Sequence, residues 1–513
     1  MCAVFLLSIF LLIFNCSAAG TETFLTYEKF GARGDGKTND AEAIILTHRH
    51  ANSRNLPVRA RSGAHYYIGP MSTVAIIRTD TDWGTARFTI DDRKLTARER
   101  RNSIFTVNMK QRVIGLKKSV TTLKKGQKKI DAIFERPAMI LVRNSNVKHF
   151  IRWGVNANSG SEMRDSFLVD ENGNIDPATP VIWNFDEISH ISARLLPEKT
   201  LTIKGGTFTT LANAEKGPHS YFSRNIRIAR SNVLVENVRH YVKEPSSKES
   251  HPYAGFISIT DCANVTVKNC VFTGRKQYFC KKPNSQSTST GTYDISINGA
   301  LNVKFINCTQ SNDIFDRQYW GIMGSNKCKN LVYDRCRLSR FDAHQGVYNA
   351  LIRDSELGHS GINVTGFGTL TVENSICNGR YMVNLRRDYG SFWDGKIVIR
   401  NSVWNVSGKE PALLTGFNNG THWFGYNCIL PETIDIDGLK VNNKNNRSPG
   451  YKGITLLGNF IDAPGNRKKA DTGKYLPRPV KKVTVKNMKI TGSRKYSLTQ
   501  NKKFFKNTVL VRK

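Results

Sequence analysis

Acidic side chains are scarce in this chain. It carries 41 Asp and Glu against 76 Lys and Arg, a formal net charge of +35 over 513 residues, and such a field concentrates polyanions at the surface. Long apolar runs are missing as well. None approaches the roughly 18 residues of a spanning helix, so no transmembrane segment is expected. The one sustained apolar stretch, residues 4–14, is followed by Ser17-Ala18-Ala19, and residues 1–19 read as a secretory signal peptide, though without Lys or Arg ahead of the apolar run. The mature chain is therefore expected outside the cytoplasm, extracellular or periplasmic. A lipid anchor on Cys16 is the weaker reading, because Asn15 fits poorly before a lipidated cysteine. No C-x-x-C pair or His/Cys cluster has zinc-ligand spacing. No nucleic-acid module signature accompanies the basic charge, so nucleic acid is not the expected partner. Asn-Gly and Asp-Gly pairs occur, but not every 8 to 12 residues or so as a β-sandwich requires.

What the chain has instead is a repeated phrase. NVTVKNCVFTG (264–274), NVKFINCTQSN (302–312), NLVYDRCRLSR (330–340), ALIRDSELGHS (350–360) and TLTVENSICNG (369–379) share a frame of alternating apolar strand, polar residue and small residue. The polar residues are Asn269, Asn307, Arg335, Asp354, Asn374 and Asn401. The small ones are Cys270, Cys308, Cys336, Ser355, Ser375 and Ser402, spaced 38, 28, 19, 20 and 27 residues apart. Repeats near this period with unequal inserts mark a solenoid whose inserts bulge from one face, and period-2 alternation makes the units strands. A second short strand accompanies them at 294–298, 321–325, 346–349, 361–366 and 382–386. Stacked units of this kind form a coil of parallel strands, with Asn at a bend in the left-handed backbone region. The Asn residues should align in a ladder and the Cys/Ser residues in a column beside it. Cys270, Cys308 and Cys336 are accordingly read as stacked buried thiols, although export would permit disulfides.

Upstream, residues 40–55 read as a helix capped by Asn39 or Asp40, with Ala41, Ile44, Ile45 and His48 on one face and Pro57 as its stop. Residues 61–195 lack the frame. They are read as early coils carrying a β-rich insertion, with strand-like runs at 86–91, 103–107, 139–143, 166–169 and 180–185. The expected division is a signal peptide (1–19), a cap segment with capping helix (20–60), early coils with insertion (61–195), the regular coil (196–495) and a basic tail (496–513) that forms a closing strand or hangs free. Basic runs cluster at 117–129, 275–282, 467–474 and 481–489.

These ladder coils resemble the right-handed parallel β-helix of the pectin-lyase-like superfamily. A second motif agrees: Phe30-Gly31-Ala32-Arg33-Gly34-Asp35-Gly36-Lys37-Thr38-Asn39-Asp40, ahead of the helix, is similar to the N-terminal signature of pectate-lyase-superfamily and polygalacturonase-related proteins, where it caps the β-helix. The resemblance covers roughly residues 26–57 and 201–492. It implies an all-β, right-handed parallel β-helix solenoid with an N-terminal capping helix and a β-rich insertion. It further implies a secreted carbohydrate-active enzyme that cleaves an anionic polysaccharide, uronate-containing or sulfated, with β-elimination as the first reading. A glycoside hydrolase of the same fold is the runner-up, and a non-catalytic, tailspike-like binding solenoid the third. Fold alone does not choose among them. The polygalacturonase set Asn-Thr-Asp, Asp-Asp, Gly-His-Gly and Arg-Ile-Lys is absent from the coil region, where Gly358-His359-Ser360 echoes part of it. The Asp-His plus Arg-x-Pro-x-x-Arg pattern of pectate lyases is absent too, so no catalytic residue carries over.

Site residues therefore rest on register. Aligning the second strands puts Tyr319, His344, His359 and Arg380 at equivalent positions; with strands ~4.8 Å apart the four would span about 15 Å, roughly three sugar units. Asp342, two residues before His344, can orient its imidazole, and Asp316 and Arg340 lie beside it. Elimination at a uronate needs a cation for the carboxylate, a base for the adjacent C–H and an acid for the leaving oxygen. Arg380 or Arg386, His344 or His359, and Tyr319 would fill those roles. A retaining hydrolase would instead need a carboxyl pair about 5 to 5.5 Å apart, for which Asp316 and Asp342 are the candidates. Substrate contacts are expected from Arg340, Asn363, Asn384 and Arg386, from Trp320, and from Arg387, Tyr389 and Trp393 in an aromatic loop. Plainer readings stand beside these: a turn-capping Asp342, a Trp393 that covers the end of a loop. No cofactor is specified; calcium, which many lyases of this fold use, would draw on Asp313, Asp316 and Asp342.

Overall fold

The computed structural model describes residues 22–513 apart from 96–98, 111, 155–156, 216–220, 244–250, 274–277, 281–287, 291–292, 318–320, 418–421, 445, 447, 459, 461–477 and 493–495. The expected signal peptide with Cys16, Tyr319, Trp320, the basic run 467–474 and most of the run 275–282 lie outside the described residues.

Alternation within each coil sends every second side chain inward, and the parallel register stacks like positions. Val233, Val265, Val303, Leu331, Ala350, Leu370, Ile397, Ile434 and Val483 stand in one such interior column over successive coils. All are buried. Each large aliphatic side chain contributes about 1.5–3 kcal/mol by leaving water, and because the columns repeat at strand spacing they merge into one continuous core.

The bends are where the sequence placed them. Asn237, Asn269, Asn307, Arg335, Asp354, Asn374, Asn401 and Asn487 all have left-handed backbone, with φ between 44° and 59°. Beside them runs the expected Cys/Ser column. Ser355 Oγ accepts from Cys336 N at 2.9 Å, Ser375 Oγ from Ser355 N at 3.1 Å and Ser402 Oγ from Ser375 N at 3.2 Å. The cysteines of the column are reduced and buried. A second ladder was not anticipated: the Asn residues that open the repeated phrases, Asn264, Asn302 and Asn330, together with Asn232 and Asn349, are left-handed as well. The amides of Asn264, Asn302, Asn330 and Asn349 each donate to the one a coil before, at 2.9, 3.0, 2.8 and 3.3 Å, and that of Asn232 to Pro197 O.

At the N-terminal end the helix Ala41–Arg54 covers the first coil with Ala41, Ile44, Ile45 and His48, as expected, and with Ala43, Thr47 and Ala51. Asp40 precedes it, its carboxylate accepting from Arg33 N and Gly34 N at 2.7 and 3.2 Å. His48 bonds Tyr27 at 3.0 Å inside the cap. At the other end Tyr496–Thr499 and Val509–Arg512 pair in parallel with Ile454–Leu457 and Lys482–Lys486, so the closing-strand alternative holds for the last residues.

The β-rich insertion is an antiparallel sheet of Ile114–Gly115, Ala138–His149, Ser161–Val169 and His190–Leu195 with its own core. The run at 180–185 is not a strand. Val181 and Phe185 face the insertion core, Ile182 faces an aromatic cluster between insertion and coil, and Trp183 packs against both; serving two cores breaks the alternation a strand needs. The insertion is fastened to the coil by Lys329, whose ammonium meets Asp165 at 2.7 Å with both side chains buried, and by Arg164 with Asp261.

Candidate functional site

Strand register decides which expected residues meet. Asp342 stands opposite Asn363, Asn363 opposite Asn384, and Asn384 opposite Thr415, so both Asn residues lie on one outward row as expected. Asn384 donates to Asn363 at 2.8 Å. The expected alignment of His344 with His359 and Arg380 does not hold. Gly361 faces Arg340, not Gly346, and His344 is level with Thr365, which donates to its carbonyl at 3.0 Å. The cause is continuity: Arg337–Arg353 runs as one strand through what the sequence divides in two. Gly346 and Gly361 both follow a His by two residues and both have positive φ, 82° and 54°, but they occupy different bends.

What this strand assembles is an ion network. Asp342, 0% exposed, accepts from His344 Nε2 at 3.0 Å and Arg386 Nη1 at 3.0 Å, and Arg340 Nη2 lies at 2.6 Å. Arg386 also grips Asp388 through two bonds of 3.0 and 2.8 Å. Arg152, from the segment that follows the long insertion strand, reaches Asp388 at 2.8 Å. Tyr293 Oη lies 3.2 Å from His344 Nε2. Burial alone would raise the Asp342 carboxyl, but Arg340, His344 and Arg386 hold it well below the usual carboxylate range. Burial pushes the His344 imidazole down against the pull of Asp342, so the ring is neutral near pH 7. An ionised carboxylate only accepts, so its bond to Nε2 fixes the proton there and leaves the lone pair on Nδ1. His344 keeps 16% exposure. An imidazole held by an orienting carboxylate beside a cation can serve as a base.

The outward row leads from this network into a cleft of about 540 Å³ lined by Arg380, Tyr381, Asn384, Arg387, Glu410, Thr415 and Phe417. Arg380 pairs with Glu410 at 3.3 Å, and Lys452 holds the other Glu410 oxygen at 2.7 Å. Trp153, 37% exposed, stacks on Phe417 with centroids 6.0 Å apart and planes at 17°.

Several expected residues are held by other partners or buried. His359 bonds Ser360 at 2.9 Å and its amide is tied to Ile314. Asp316 sits in a turn with Asp313, while the Asp342 oxygens are enclosed by cations. Tyr389 and Trp393 are 3% and 0% exposed and do not offer rings to a ligand. The chain turns back at Gly390, φ 87°, sending Tyr389 into the aromatic cluster and Trp393 into the coil core, where its indole donates to Gly368 and Lys396 carbonyls. Arg340 is buried and works through Asp342 instead of a surface contact. Among the described residues no group of three His, Cys, Asp or Glu is placed to hold a metal; Asp313 caps its own turn by accepting from Phe315 N at 3.0 Å. Sequence reasoning missed Glu410, Asp388, Tyr293, Arg152 and Trp153. The last two stand some 190 residues upstream of Asp342, and no periodicity links them to it.

No protein-family model matches the chain. The tailspike gp61 of Pseudomonas phage phi297 superposes with a TM-score of 0.56 at 12% identity, over 96% of this chain and 84% of that one. The chain is a right-handed parallel β-helix. The gp49 tailspike of Pseudomonas phage LKA1 gives 0.53 at 13% identity, over 91% of this β-helix and 81% of its own length. A KL64-specific capsule depolymerase of Klebsiella phage P510 is 32% identical over 114 residues. That match covers 18% of this β-helix and 11% of the relative's length. Among the described residues no helix is long and apolar enough to cross a membrane.

Proposed function

We propose that this β-helix degrades an acidic polysaccharide lying along the Asp342–Thr415 row, and that it does so by β-elimination with His344 as base. The observation that carries the reading is the His344 imidazole held by Asp342 next to the Arg386 guanidinium. A uronate carboxylate near Arg387 would be neutralised, which makes the C–H beside it acidic. His344 Nδ1 takes that proton. The C–H electrons form the new C=C bond, the C–O bond to the leaving sugar breaks, and the imidazolium returns its proton to the leaving oxygen. Trp153 and Phe417 supply an aromatic wall for a neighbouring ring. The short match to a capsule depolymerase and the tailspike likeness support a polysaccharide substrate, and capsule is met outside the cytoplasm, in keeping with a signal peptide at residues 1–19.

A hydrolase is supported less well. Glu410 is the one carboxylate among the described residues lining the cleft, and Asp342 is closed to proton delivery by its cations. The test is digestion of pectate, alginate, heparin, chondroitin sulfate, hyaluronan and purified capsular polysaccharides, following ultraviolet absorbance and reducing ends together. Absorbance that appears with the native chain and is lost in His344→Ala is the expected result. Reducing ends without absorbance would transfer the reading to Glu410 and a hydrolytic reaction, and tight binding without cleavage would leave a binding solenoid.

A further inference from the structure

The insertion carries a feature that the cleft along the Asp342 row does not use. Residues 116–130 hug the insertion core through Leu116, Val120, Leu123 and Ile130, while Lys117, Lys118, Lys124, Lys128 and Lys129 are exposed. This is not a loose tail. Leu123 and Phe185 exchange backbone bonds of 3.0 and 2.7 Å, Gly126 N donates to Val181 O at 2.9 Å and Ile130 N to Gly173 O at 2.9 Å. Lys125 N donates to Asn184 Oδ1 at 2.8 Å, and its ammonium pairs with Asp394 on the coil at 2.8 Å. Fixed backbone spares a ligand part of the ordering cost that a flexible basic tail would impose.

Next to this segment, between insertion and coil, opens a second cleft of about 410 Å³. Lys125, Asn184, Trp183, Tyr426, Asn427 and Arg478 are among its lining residues. Its walls combine amide groups, aromatic faces and cations, the mixture that suits a sugar chain bearing acidic groups. Of the acids near the segment, Asp394 is taken by Lys125, and Asp170 lies by Lys129 and is engaged by Asn174, while Asp131, Asp176 and Asp186 follow residues that belong to the segment or bond its backbone. Among the described residues no carboxylate pairs with Lys117, Lys118, Lys124 or Lys128. These four lysines are displayed on bonded backbone.

We infer that the insertion is a second polysaccharide-binding site, in which the Lys125–Arg478 cleft and the lysines of residues 117–128 hold an acidic polysaccharide apart from the Asp342 row. The polymer class rests on the reading of that row; the binding does not require catalysis. Held here, a long chain stays near the enzyme while another part of it is cut, which raises its local concentration at the row.

The experiment measures binding of the full chain to polygalacturonate and to dextran sulfate by calorimetry, with neutral dextran as control. Two quadruple alanine variants are compared, one at Lys117, Lys118, Lys124 and Lys128, the other at Lys440, Lys489, Lys502 and Lys503, which are equally exposed on the coil. Both remove the same charge. The insertion variant should bind at least about tenfold more weakly and the coil variant less than about twofold, with Asn427→Asp plus Arg478→Ala weakening it as well. Equal losses in the two quadruples, or an insertion variant that binds like the native chain, would overturn the assignment. His344→Ala separates the two readings: it should keep this binding whether or not any polymer is cleaved. If no polymer is cleaved while the insertion still binds, the catalytic reading fails alone.

Discussion

Replacing Asp342 with Asn should be among the most damaging single substitutions in the coil. The carboxylate is 0% exposed and faces Arg340 at 2.6 Å, His344 at 3.0 Å and Arg386 at 3.0 Å. Arg340 is 3% exposed and would lose this carboxylate in the protein interior, whereas Arg386 keeps Asp388. Removing one member of a buried ion pair costs about 3–5 kcal/mol, and the retained Arg386–Asp388 pair places this case near the lower end, roughly 3 kcal/mol. Asp388→Asn, which leaves Arg386 bound to Asp342, should cost less. The acid limb of stability carries the same signature. The folded Asp342 pKa lies below its unfolded value of about 3.9, so the unfolded chain binds more protons in between. The stabilisation is present in full above about pH 5 and is lost as pH falls through the folded value. Guanidinium unfolding followed by fluorescence, with hydrogen exchange over residues 337–388, reads both effects. Because each coil leans only on its neighbours, the extra exchange should concentrate in that window. A loss below about 1 kcal/mol with unchanged exchange, or an unaltered acid limb, would show that the network does not hold this part of the coil. Asp342→Leu with Arg340→Met should recover most of the loss, since matched apolar replacement of a buried pair is often neutral.

Other outcomes follow from single positions. Lys327 lies by the insertion with its pKa lowered to about 8 by burial and by Arg164; the unfolded chain then binds more protons between about pH 8 and 10.4, so stability should rise over that interval and Lys327→Met should abolish the rise in a denaturation series. Gly299 has φ 62°, and a Cβ there would sit 2.5 Å from Asp261 Oδ1 and 2.7 Å from Arg164 Nη2; Gly299→Ala should cost about 1–3 kcal/mol and expose the 137–195 strands to limited proteolysis. Asn302→Ala loses a left-handed bend and two ladder amide bonds, about 1–2 kcal/mol by denaturation, while Asn302→Gly should recover the backbone part. Burial raises the Cys328 and Cys377 thiols to about 11 and about 12, so neither should react with a disulfide reagent until the coil unfolds; prompt labelling at pH 8 would contradict their burial.

The fold was legible because its determinants are local and repeated. A polar residue before a small one marks a left-handed bend, and alternation ahead of it marks a strand. The bends from Asn269 to Asn401 followed from those two facts. The site was only half legible. Asp342 beside His344 could be paired because two residues along a strand share a face, and Asn363 and Asn384 fell on the same row. The equivalence of His344 with His359 was misread because Gly346 and Gly361 look alike in sequence and serve different bends. Tyr389 and Trp393 were taken for surface rings; nothing local says that the chain turns back at Gly390. Arg152 and Trp153 were out of reach altogether, since an insertion docks through tertiary contacts that leave no period behind.

Two outward rows of the coil have the same geometry and opposite chemistry, and the contrast argues for where a ligand lies. On one, Asp82, Lys204, Glu236, Lys268, Ile306, Asp334, Arg353, Glu373, Arg400, Asp437 and Lys486 stand in register. Apart from Ile306 the sign alternates at nearly every step. Neighbours pair across the coils: Lys204 with Asp82 at 3.2 Å, Lys268 with Glu236 at 3.0 Å, Arg353 with Asp334, and Lys486 with Asp437 at 3.5 Å. Exposed pairs of this kind add little energy each, but a slip by one coil would set like charges together over much of the row, so the row fixes stacking order. Its charges are spent on one another. The row through Asp342 passes Arg227 and then runs through Ser258, Ser296, Gly324, Asn363, Asn384 and Thr415, residues that from Ser258 on are small or polar and, outside Asp342, uncharged. Such a row leaves a low floor with hydrogen-bonding groups at strand spacing, and the exposed cation Arg387 stands at its margin instead of along it. A sugar chain can lie on that floor with its acidic groups turned to the margin; on the other row it would have to displace an ion pair at nearly every step.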